Sequence, residues 1–388
     1  MRKEIEPVTA ADFMQFLLQW QHLSPGSRQH GEAGLLRVIQ QLAGFEVAAS
    51  SWESQLLRLR MAKYEPELLD RLCLSGSVSW GRLSPHPMFS QGGELNRRRI
   101  VATSLAPLTV FPREDSEWLM NLFHGEVAIR AADSYAQLSA VAQDVRRLLD
   151  ERGASFFADL AKGTNHLPAE VEGALWELVA VGIVTADGFD NLRALMDPHR
   201  RRAEGRERAR RPRYSAGRWS LLRQSLGTSG GRSQSEGVRS SLTENVARQL
   251  LRRYGVVFRD LLQRESLVQS WRDLLVVYRK LELQGEVRGG RFVTGFTGEQ
   301  FALPEAVDAL RVLRKSGSPT AGAEVKLSAC DPLNLAGIVL PGPRVPAVPT
   351  NFLVLKDGSV VRSVIGRQAE GAVISQERIG GQAVQRLH

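Results

Sequence analysis

The stretch that decides the fold reads SWRDLLVVYRKLELQGEVRGGRFV, residues 270–293. Its first half places apolar side chains at helical spacing after a serine, a typical helix cap, and Gly285 marks the end of the helix. Residues 286–288 and 291–293 then resemble two short strands joined by a Gly-Gly turn with positive φ. A helix followed by a two-stranded hairpin predicts the second half of a winged helix, whose third helix and hairpin typically face DNA.

An earlier part of the chain repeats this pattern. VRRLLDERG ends at Gly153 and FADL begins at Phe157, while ARQLLRRYG ends at Gly255 and FRDL begins at Phe258. Each pair precedes a longer helical pattern and a short strand pattern with a turn, which is Asp187-Gly188 in the first copy. The sequence therefore predicts two winged helices about one hundred residues apart.

The predicted fold class is α+β and mainly helical, with tandem winged-helix domains followed by a small C-terminal β-barrel. Short apolar runs separated by Pro and Gly predict the barrel, and Asp357-Gly358 is a strong hairpin signal. The predicted segments are a helical, winged-helix-like module at 1–85, a connecting module with short strands at 86–134, a winged helix at 135–196, a basic flexible linker at 197–240, a winged helix at 241–313 and the β-barrel at 314–388.

Positive charge is concentrated in the predicted linker. The chain carries a formal net charge of +9, and ten arginines but only two glutamates lie between residues 200 and 223. Arginine tracts are often solvated linkers, but a tract between two winged helices also offers sequence-independent phosphate contacts. The remainder of the chain is nearly neutral, so the linker is the strongest electrostatic signal for nucleic acid.

The sequence lacks the usual signatures of nucleotide and metal chemistry. It has no G-x-x-x-x-G-K-[ST] loop, its two cysteines stand far apart, and its seven histidines are not spaced as metal ligands. Residues Gly227-Thr-Ser-Gly-Gly231 match the G-x-S-x-G form of a hydrolase nucleophile elbow. That motif requires a strand before it and a helix after it, whereas low-complexity sequence surrounds it here. We expect no metal site, no cofactor in this chain, no membrane segment and a cytoplasmic location.

The candidate nucleic-acid-binding residues are arginines and tryptophans of the linker and of the second predicted winged helix. Guanidinium groups would contact phosphates, and exposed aromatic rings would stack on unpaired bases. The charges on this helix and wing have a simpler interpretation as solubilising groups, and both interpretations stay open. The candidates are Arg200, Arg201, Arg202, Arg210, Arg211, Arg213, Trp219, Trp271, Arg272, Arg279, Arg288 and Arg291. The equivalent helix of the first copy bears Glu170, Glu172 and Glu177 and no arginine, so we expect that copy to pack against protein.

Several longer stretches together resemble one family. They are Ser51-Trp-Glu53, residues 64–76 with 78–80 behind them, Gly217-Arg-Trp-Ser220, residues 289–293 with 298–304, and Leu327-Ser-Ala-Cys-Asp-Pro-Leu-Asn334. This set resembles the C-terminal extension of the large helicase-related (Lhr) superfamily 2 DNA helicases. In that family the extension is a series of winged helices ending in a β-barrel, similar to the AlkZ-type DNA glycosylases.

The resemblance implies DNA repair as the setting and single-stranded or forked DNA as the partner. It also implies a helicase core that this chain lacks, which would hold ATP and Mg²⁺ and contact the winged helices. A homo-oligomer is a further expected assembly.

Enzymatic and non-enzymatic hypotheses remain open at this level. The resemblance links the family to uracil removal, and a glycosylase needs an acid or amide near the extruded base. Asp331 is the catalytic candidate, although an Asp-Pro sequence is more typical of a turn. Gln19-Trp20-Gln21 has the AlkZ-type Gln-x-Gln form, but its helical pattern favours a solvent-facing polar pair around a core tryptophan. The leading hypothesis is a DNA-binding module, the alternative is a metal-independent DNA glycosylase, and a second alternative is a self-associating protein scaffold.

Overall fold

The computed structural model describes residues 6–84, 106–124, 138–196, 217–222, 236–267, 269–317 and 322–366. Three winged helices follow one another, and a small antiparallel sheet completes the described chain. Helix α1, Ala10–Trp20, precedes them and begins at Thr9, whose side chain accepts a hydrogen bond from the Asp12 amide in a capping box. Its predicted apolar face, with Phe13, Phe16 and Leu17, is buried.

The first winged helix extends beyond the predicted module boundary. Its elements are α2 (Gly31–Leu42), β1 (Val47–Ala48), a π-helix (Trp52–Leu57) that continues as α3 (Arg58–Arg60), α4 (Pro66–Leu74), β2 (Val78–Gly81) and β3 (Pro107–Pro112). The strands are antiparallel in the order β1-β3-β2. The third strand therefore comes from residues 107–112, which sequence patterns assigned to a separate connecting module. A strand that pairs across a long insertion leaves no local signal in the sequence. The predicted module boundary at residue 85 therefore falls before the last strand of this winged helix.

The middle winged helix has the same arrangement, closed by an unexpected strand. Its elements are α6 (Ala140–Arg152), α7 (Phe157–Thr164), α8 (Pro168–Ala180), β4 (Val184–Ala186), α9 (Phe189–Met196) and β5 (Trp219–Leu221), and α5 (Ser116–His124) precedes it. Strand β5 pairs with β4, and Ser155 bridges to Trp219 on the other side of β5. The predicted Asp187-Gly188 hairpin is wrong, because the residues after it form α9 and the partner strand lies inside the predicted linker 197–240.

The third winged helix confirms the internal repeat. It consists of α10 (Glu236–Tyr254), β6 (Val256–Val257), a 3₁₀ turn (Arg259–Arg264), α11 (Trp271–Leu283), β7 (Arg288–Gly290) and β8 (Gln300–Ala302), and α12 (Pro304–Ser316) follows. The strand order β6-β8-β7 is that of the first copy. The pair Val257–Phe301 is the counterpart of the pair Ser155–Trp219 in the middle copy. One topology thus occurs three times, and α10 begins within the segment predicted as a linker.

The glycine pair of the third wing is not the turn that the sequence predicted. Gly289 and Gly290 lie within β7 and lack positive φ angles, which occur instead at Gly285, Gly295 and Gly298. A Cβ atom on Gly289 would meet the carboxylate oxygens of Glu282 at 2.6 and 2.7 Å, so glycine serves close packing here. Residues 292–293 do not form the second hairpin strand, because Val293 bridges to Val8 of the N-terminal segment.

A three-stranded antiparallel sheet follows the winged helices. It comprises β9 (Glu324–Ser328), β10 (Phe352–Lys356) and β11 (Ser359–Val364), in the order β11-β10-β9. The predicted hairpin at Asp357-Gly358 is confirmed, and both residues have positive φ angles of 48° and 74°. Within residues 322–366 these strands form a three-stranded sheet in which no closed barrel is found, and the β-barrel over 314–388 stays a prediction.

A buried ion pair joins the C-terminal segment to the first winged helix. The Arg60 guanidinium donates to both carboxylate oxygens of Asp331, at 2.7 and 2.9 Å, and both side chains are 0% exposed. Arg60 also donates to Gln21 Oε1 at 2.9 Å, and Gln21 Nε2 donates to the Arg253 carbonyl. Residues from α1, the first and third winged helices and the C-terminal segment therefore share one network.

Removing one partner of this pair should destabilise the fold strongly. Arg60→Ala leaves the Asp331 carboxylate buried without its main counter-charge, and we expect the free energy of unfolding to fall by about 3–5 kcal/mol. Arg71→Ala is the matched control, because Arg71 pairs with Glu32 at 3.1 Å on the surface. That exposed pair should contribute only about 0–1 kcal/mol. Equal urea midpoints for the two variants would contradict the assigned role of the buried pair.

Candidate nucleic-acid interface

The third helix is more deeply buried in the middle copy than in the third copy. In the middle copy the second half of α8 is enclosed, and the buried residues of the helix are Val171, Ala174, Leu175, Trp176, Leu178, Val179 and Ala180. Its Glu177 carboxylate is also engaged, since it accepts hydrogen bonds from the Ser139 amide and hydroxyl. In the third copy α11 buries only Leu274, Val277, Tyr278 and Leu281. The opposite side of α11 is therefore the available face.

The available face of α11 carries arginine, lysine and apolar side chains together with the acidic residues Asp273 and Glu282. Arg272, Arg279 and Lys280 are exposed, and Leu283 at the end of the helix is 90% exposed. Ser270 caps the start of the helix by accepting a hydrogen bond from the Arg272 amide at 3.2 Å. Arg272 therefore lies at the N-terminal end of the exposed face. Trp271 is half-buried, and its ring lies 6.0 Å from that of Tyr278. Trp271 is thus part of the support of α11 as well as its surface.

The wing adds two exposed arginines beside this helix. Arg288 lies in β7 and Arg291 follows that strand, and both side chains are exposed. Gln300 holds the next residues in place, because its Oε1 accepts from the Phe292 and Val293 amides at 2.8 Å. The wing is therefore anchored by buried hydrogen bonds, while its arginines remain at the surface.

Neighbouring carboxylates neutralise part of this surface. Arg279 pairs with Glu299 at 2.8 Å, and Lys280 pairs with Glu244 at 3.0 Å. Hydrogen bonds from Lys280 and Arg248 hold the pKa of Glu244 below its ordinary value, so this carboxylate stays ionised. In the described chain Arg272, Arg288 and Arg291 form no ion pair. These three are the arginines of the interface that are ready for an external anion.

The structure separates the sequence-predicted candidates into different groups. Arg200, Arg201, Arg202, Arg210, Arg211 and Arg213 lie outside the described residues. Trp219 was expected to stack on bases, but its side chain is only 2% exposed and its ring meets that of Trp80 edge-on at 6.2 Å. This expectation is corrected, since a ring packed between two winged helices offers no face to a base. Arg272, Arg279, Arg288 and Arg291 share one exposed region with the partly buried Trp271.

Asp331, the catalytic candidate, occupies a buried structural position. Both of its carboxylate oxygens accept from Arg60, and Oδ1 also accepts from the Leu333 amide at 3.0 Å. The last contact is the Asx-type turn expected of an Asp-Pro sequence. An aspartate that is 0% exposed cannot contact an extruded base in this conformation.

The Gln19-Trp20-Gln21 stretch also differs from expectation. Gln21 is 0% exposed and its amide is fully used by Arg60 and the Arg253 carbonyl, whereas Gln19 is exposed. Trp20 between them is only partly buried and lines a cleft of about 560 Å³. The cleft lies where α1 and α2 meet the third winged helix, and sequence patterns alone missed it because its walls are more than 200 residues apart.

The described residues contain no group of three or more His, Cys, Asp or Glu side chains that could hold a metal ion. No helix in the described ranges is both long and apolar enough to cross a membrane.

Comparison with known proteins matches the regions of the first and third winged helices. Two models described as winged-helix domains of the large helicase-related protein match residues 8–94 and 237–322. The chain is 28% identical over 424 aligned residues to the Lhr helicase/uracil glycosylase of Escherichia coli strain K12, covering 97% of this chain and 25% of that protein. It is 31% identical over 369 residues to the Lhr helicase/probable uracil glycosylase of Mycolicibacterium smegmatis, covering 88% of this chain and 22% of that protein. The chain thus spans about a quarter of the length of these relatives.

His22 at the edge of the cleft should give the stability a distinct pH dependence. Burial, followed by the charge of Arg60, lowers the pKa of His22, against an opposing hydrogen bond to the Ser27 carbonyl. Because the folded pKa lies below the unfolded one, the unfolded chain binds the proton more readily. This contribution to stability is present above about pH 6.5 and is lost as the pH falls towards the lowered folded value.

The variant His22→Asn tests this assignment. His22 has a φ of 64°, which asparagine also tolerates, and asparagine does not titrate. We expect the melting temperature of the unmodified chain to fall more steeply than that of the variant between about pH 7.5 and 5.5. Parallel curves for the two proteins would show that His22 makes no such contribution.

Proposed function

We propose that this chain, whose winged-helix regions match those of the large helicase-related (Lhr) family, binds DNA through the third winged helix. One observation carries the proposal: the third copy presents Arg272, Arg279 and Lys280 on the exposed face of α11 and Arg288 and Arg291 on its wing, whereas α8 of the middle copy contains no arginine or lysine. The helical part of the middle copy, residues 135–196, carries nine acidic and five basic side chains, and arginines become frequent only in the segment that leads from it to β5. Residues 241–313 carry eleven basic and nine acidic ones.

Helix α11 has the properties required of a helix in a DNA groove. Its inner face is fixed by buried residues, including Tyr278, whose hydroxyl donates to the Ala247 carbonyl at 3.2 Å. Its outer face presents Arg272 at the N-terminal end, the end that contacts base edges in most helix-turn-helix domains. Arg279 lies two turns further on, where a helix in the major groove would approach the phosphate backbone.

The wing provides a second contact on the same side. Arg288 and Arg291 would reach the backbone or the minor groove while α11 occupies the major groove. Arg279 first has to leave Glu299, so part of its Coulomb energy with phosphate is offset by breaking that ion pair. The unpaired arginines should therefore contribute most to affinity.

The wider setting follows from the relatives and is likewise proposed. Both relatives are named helicases, and they are about four times as long as this chain. We assign ATP binding, Mg²⁺ binding and strand separation to a helicase core outside this chain, with which this region would work. Single-stranded or forked DNA as the preferred substrate, the Arg-rich segment 200–213 as an additional phosphate contact and a homo-oligomeric assembly are parts of the same proposal.

Removing the three unpaired arginines together should weaken duplex binding. In the triple variant Arg272→Ala, Arg288→Ala and Arg291→Ala, we expect about tenfold or more lower affinity for a blunt DNA duplex at moderate salt. The slope of log affinity against log salt should decrease by about 0.9 for each phosphate that the variant no longer neutralises. Fluorescence anisotropy at several salt concentrations measures both quantities.

Arg147→Ala is the matched control for charge. Arg147 is 65% exposed on the middle winged helix and pairs with Asp144, so its removal should leave duplex affinity nearly unchanged. The same decrease in affinity for the control and the triple variant would indicate a diffuse charge effect and remove the third winged helix as the contact.

A second candidate function is excision of uracil from DNA, because both relatives carry a uracil glycosylase name. The structure argues against Asp331 as the catalytic acid of this activity, since its carboxylate is enclosed by Arg60 and the Leu333 amide. If this chain forms abasic sites in a uracil-containing single strand, Asp331→Asn should lower the activity only in proportion to the decrease in stability. Abasic-site formation and thermal unfolding are measured on the same protein samples.

Arg60→Ala distinguishes a structural role of Asp331 from a catalytic role in that assay. It breaks the same buried pair and leaves the carboxylate in place, so a structural role predicts equal decreases in activity for the two variants. Loss of activity in Asp331→Asn alone, with unchanged stability, would instead establish Asp331 as the catalytic acid. No abasic product from the unmodified chain, with DNA binding intact, would exclude glycosylase activity for this region.

A further inference from the structure

The cleft between the first and third winged helices has the size and position of a ligand site. Its volume of about 560 Å³ falls within the range of small-molecule pockets, which often lie at domain interfaces. Its walls come from α1, α2, α10, the base of the wing and the start of α12. The polar and aromatic residues that line it are Trp20, His22, Arg37, Gln40, Gln41, Arg248 and Arg252 together with the carboxylates of Glu286, which pairs with Arg248, and Glu305.

Trp20 provides a rigid aromatic surface in this cleft. Its Nε1 donates to the Arg252 carbonyl at 3.0 Å, and its ring lies 5.4 Å from that of Phe16. Its Cε2 atom also lies 3.1 Å from where a Cβ atom on Gly255 would be, so glycine lets α10 approach the ring closely. A ring fixed by a hydrogen bond and by packing can stack on a planar group with little loss of conformational entropy.

Two arginines of the cleft retain capacity for an anion. Arg37 is exposed and uses Nε to donate to Gln29, while in the described chain it has no ion pair. Arg252 is 51% exposed and lies 4.0 Å from Asp115, at the limit of an ion pair. Arg248 differs from both, because it contacts the carboxylates of Glu244 and Glu286. Arg37 and Arg252 are therefore the arginines of the cleft that are most open to an anion.

Polar groups beside the ring remain available for hydrogen bonding. Gln41 Nε2 donates to the Trp20 and Arg252 carbonyls, but its Oε1 is buried and has no partner among the described residues. Gln41 is one of several residues in the described chain with a buried polar atom that lacks a partner, and a water molecule or a shifted side chain could satisfy it. His22 stays neutral near physiological pH because burial lowers its pKa, so it adds no competing charge.

We propose that this cleft binds one nucleotide of single-stranded DNA, with the base stacked on Trp20 and the adjacent phosphate held by Arg37 and Arg252. An aromatic ring beside cationic side chains is the usual arrangement for sequence-tolerant single-strand binding. Leu281 of α11 and Val287 at the wing base are buried and line the same cleft, so it lies on the inner side of α11, opposite the exposed face assigned to duplex DNA. The inference rests on the proposed DNA-binding function and adds a place for the strand that leaves the duplex.

The double variant Arg37→Ala and Arg252→Ala tests the phosphate contact. We expect affinity for a short oligothymidylate to fall about tenfold and its salt slope to decrease, with duplex affinity unchanged. Both side chains are exposed, so the fold is retained, and Arg147→Ala again controls for charge. An unchanged oligothymidylate affinity, or an equal decrease for duplex and single strand, overturns the proposal.

Photo-crosslinking tests the stacking contact without altering Trp20. Oligothymidylate with one 5-iodo-2′-deoxyuridine should crosslink to Trp20, as identified by mass spectrometry, and crosslinks confined to other residues overturn the assignment. An oligouridylate that binds more tightly than oligothymidylate overturns DNA as the occupant. The triple variant Arg272→Ala, Arg288→Ala and Arg291→Ala tests the proposed duplex interface independently of the proposed single-strand cleft. If it retains duplex binding while the cleft variant loses single-strand binding, the duplex interface fails and the cleft stands.

Discussion

The buried contact between Arg60 and Asp331 is the constraint on which the arrangement of the domains depends. Two opposite charges that are 0% exposed require nearly complete partners, because desolvation costs several kcal/mol per ion. The Asp331 carboxylate has its charged hydrogen-bond partner only when the C-terminal segment lies against α3 of the first winged helix. Arg264 reinforces this placement from the third winged helix, since it donates to the carbonyls of residues 329, 330 and 331. Polar bonding thus fixes the mutual position of segments that are far apart in the sequence.

Burial between neighbouring domains decides which copy of the repeated domain remains available for a partner. Trp80 of the first winged helix packs edge-on against Trp219 and Phe189 of the middle one, and its carbonyl accepts from Thr185. Arg193 joins the same two domains through Glu53 and Asp70. The middle copy is therefore committed to protein contacts, while the third copy keeps α11 and its wing at the surface.

Local patterns predicted the elements well and their partners poorly. The helix that ends at Gly285, the repeated order of elements and the hairpin at Asp357-Gly358 all follow from spacing and turn chemistry, and the structure confirms them. The strand at residues 219–221 was missed because its partner β4 lies across a long insertion. Gly289 was assigned to a turn, although it lies within β7, where the Glu282 carboxylate approaches it closely. Sequence patterns contain no information on contacts of this kind.

The sequence by itself determined the winged-helix class, the family resemblance and the arginines of α11 and the wing, because these depend on short-range periodicity and on charge. Only the tertiary structure decided that Trp219 and Asp331 are buried, and that Trp20, Arg37 and Arg252 line one cleft. Residue type does not distinguish a buried charge from a surface charge, since that difference depends on what packs against it. Arg60 and Arg37 are both arginines of the first winged helix, yet one is sealed by an aspartate 271 residues away and the other faces solvent.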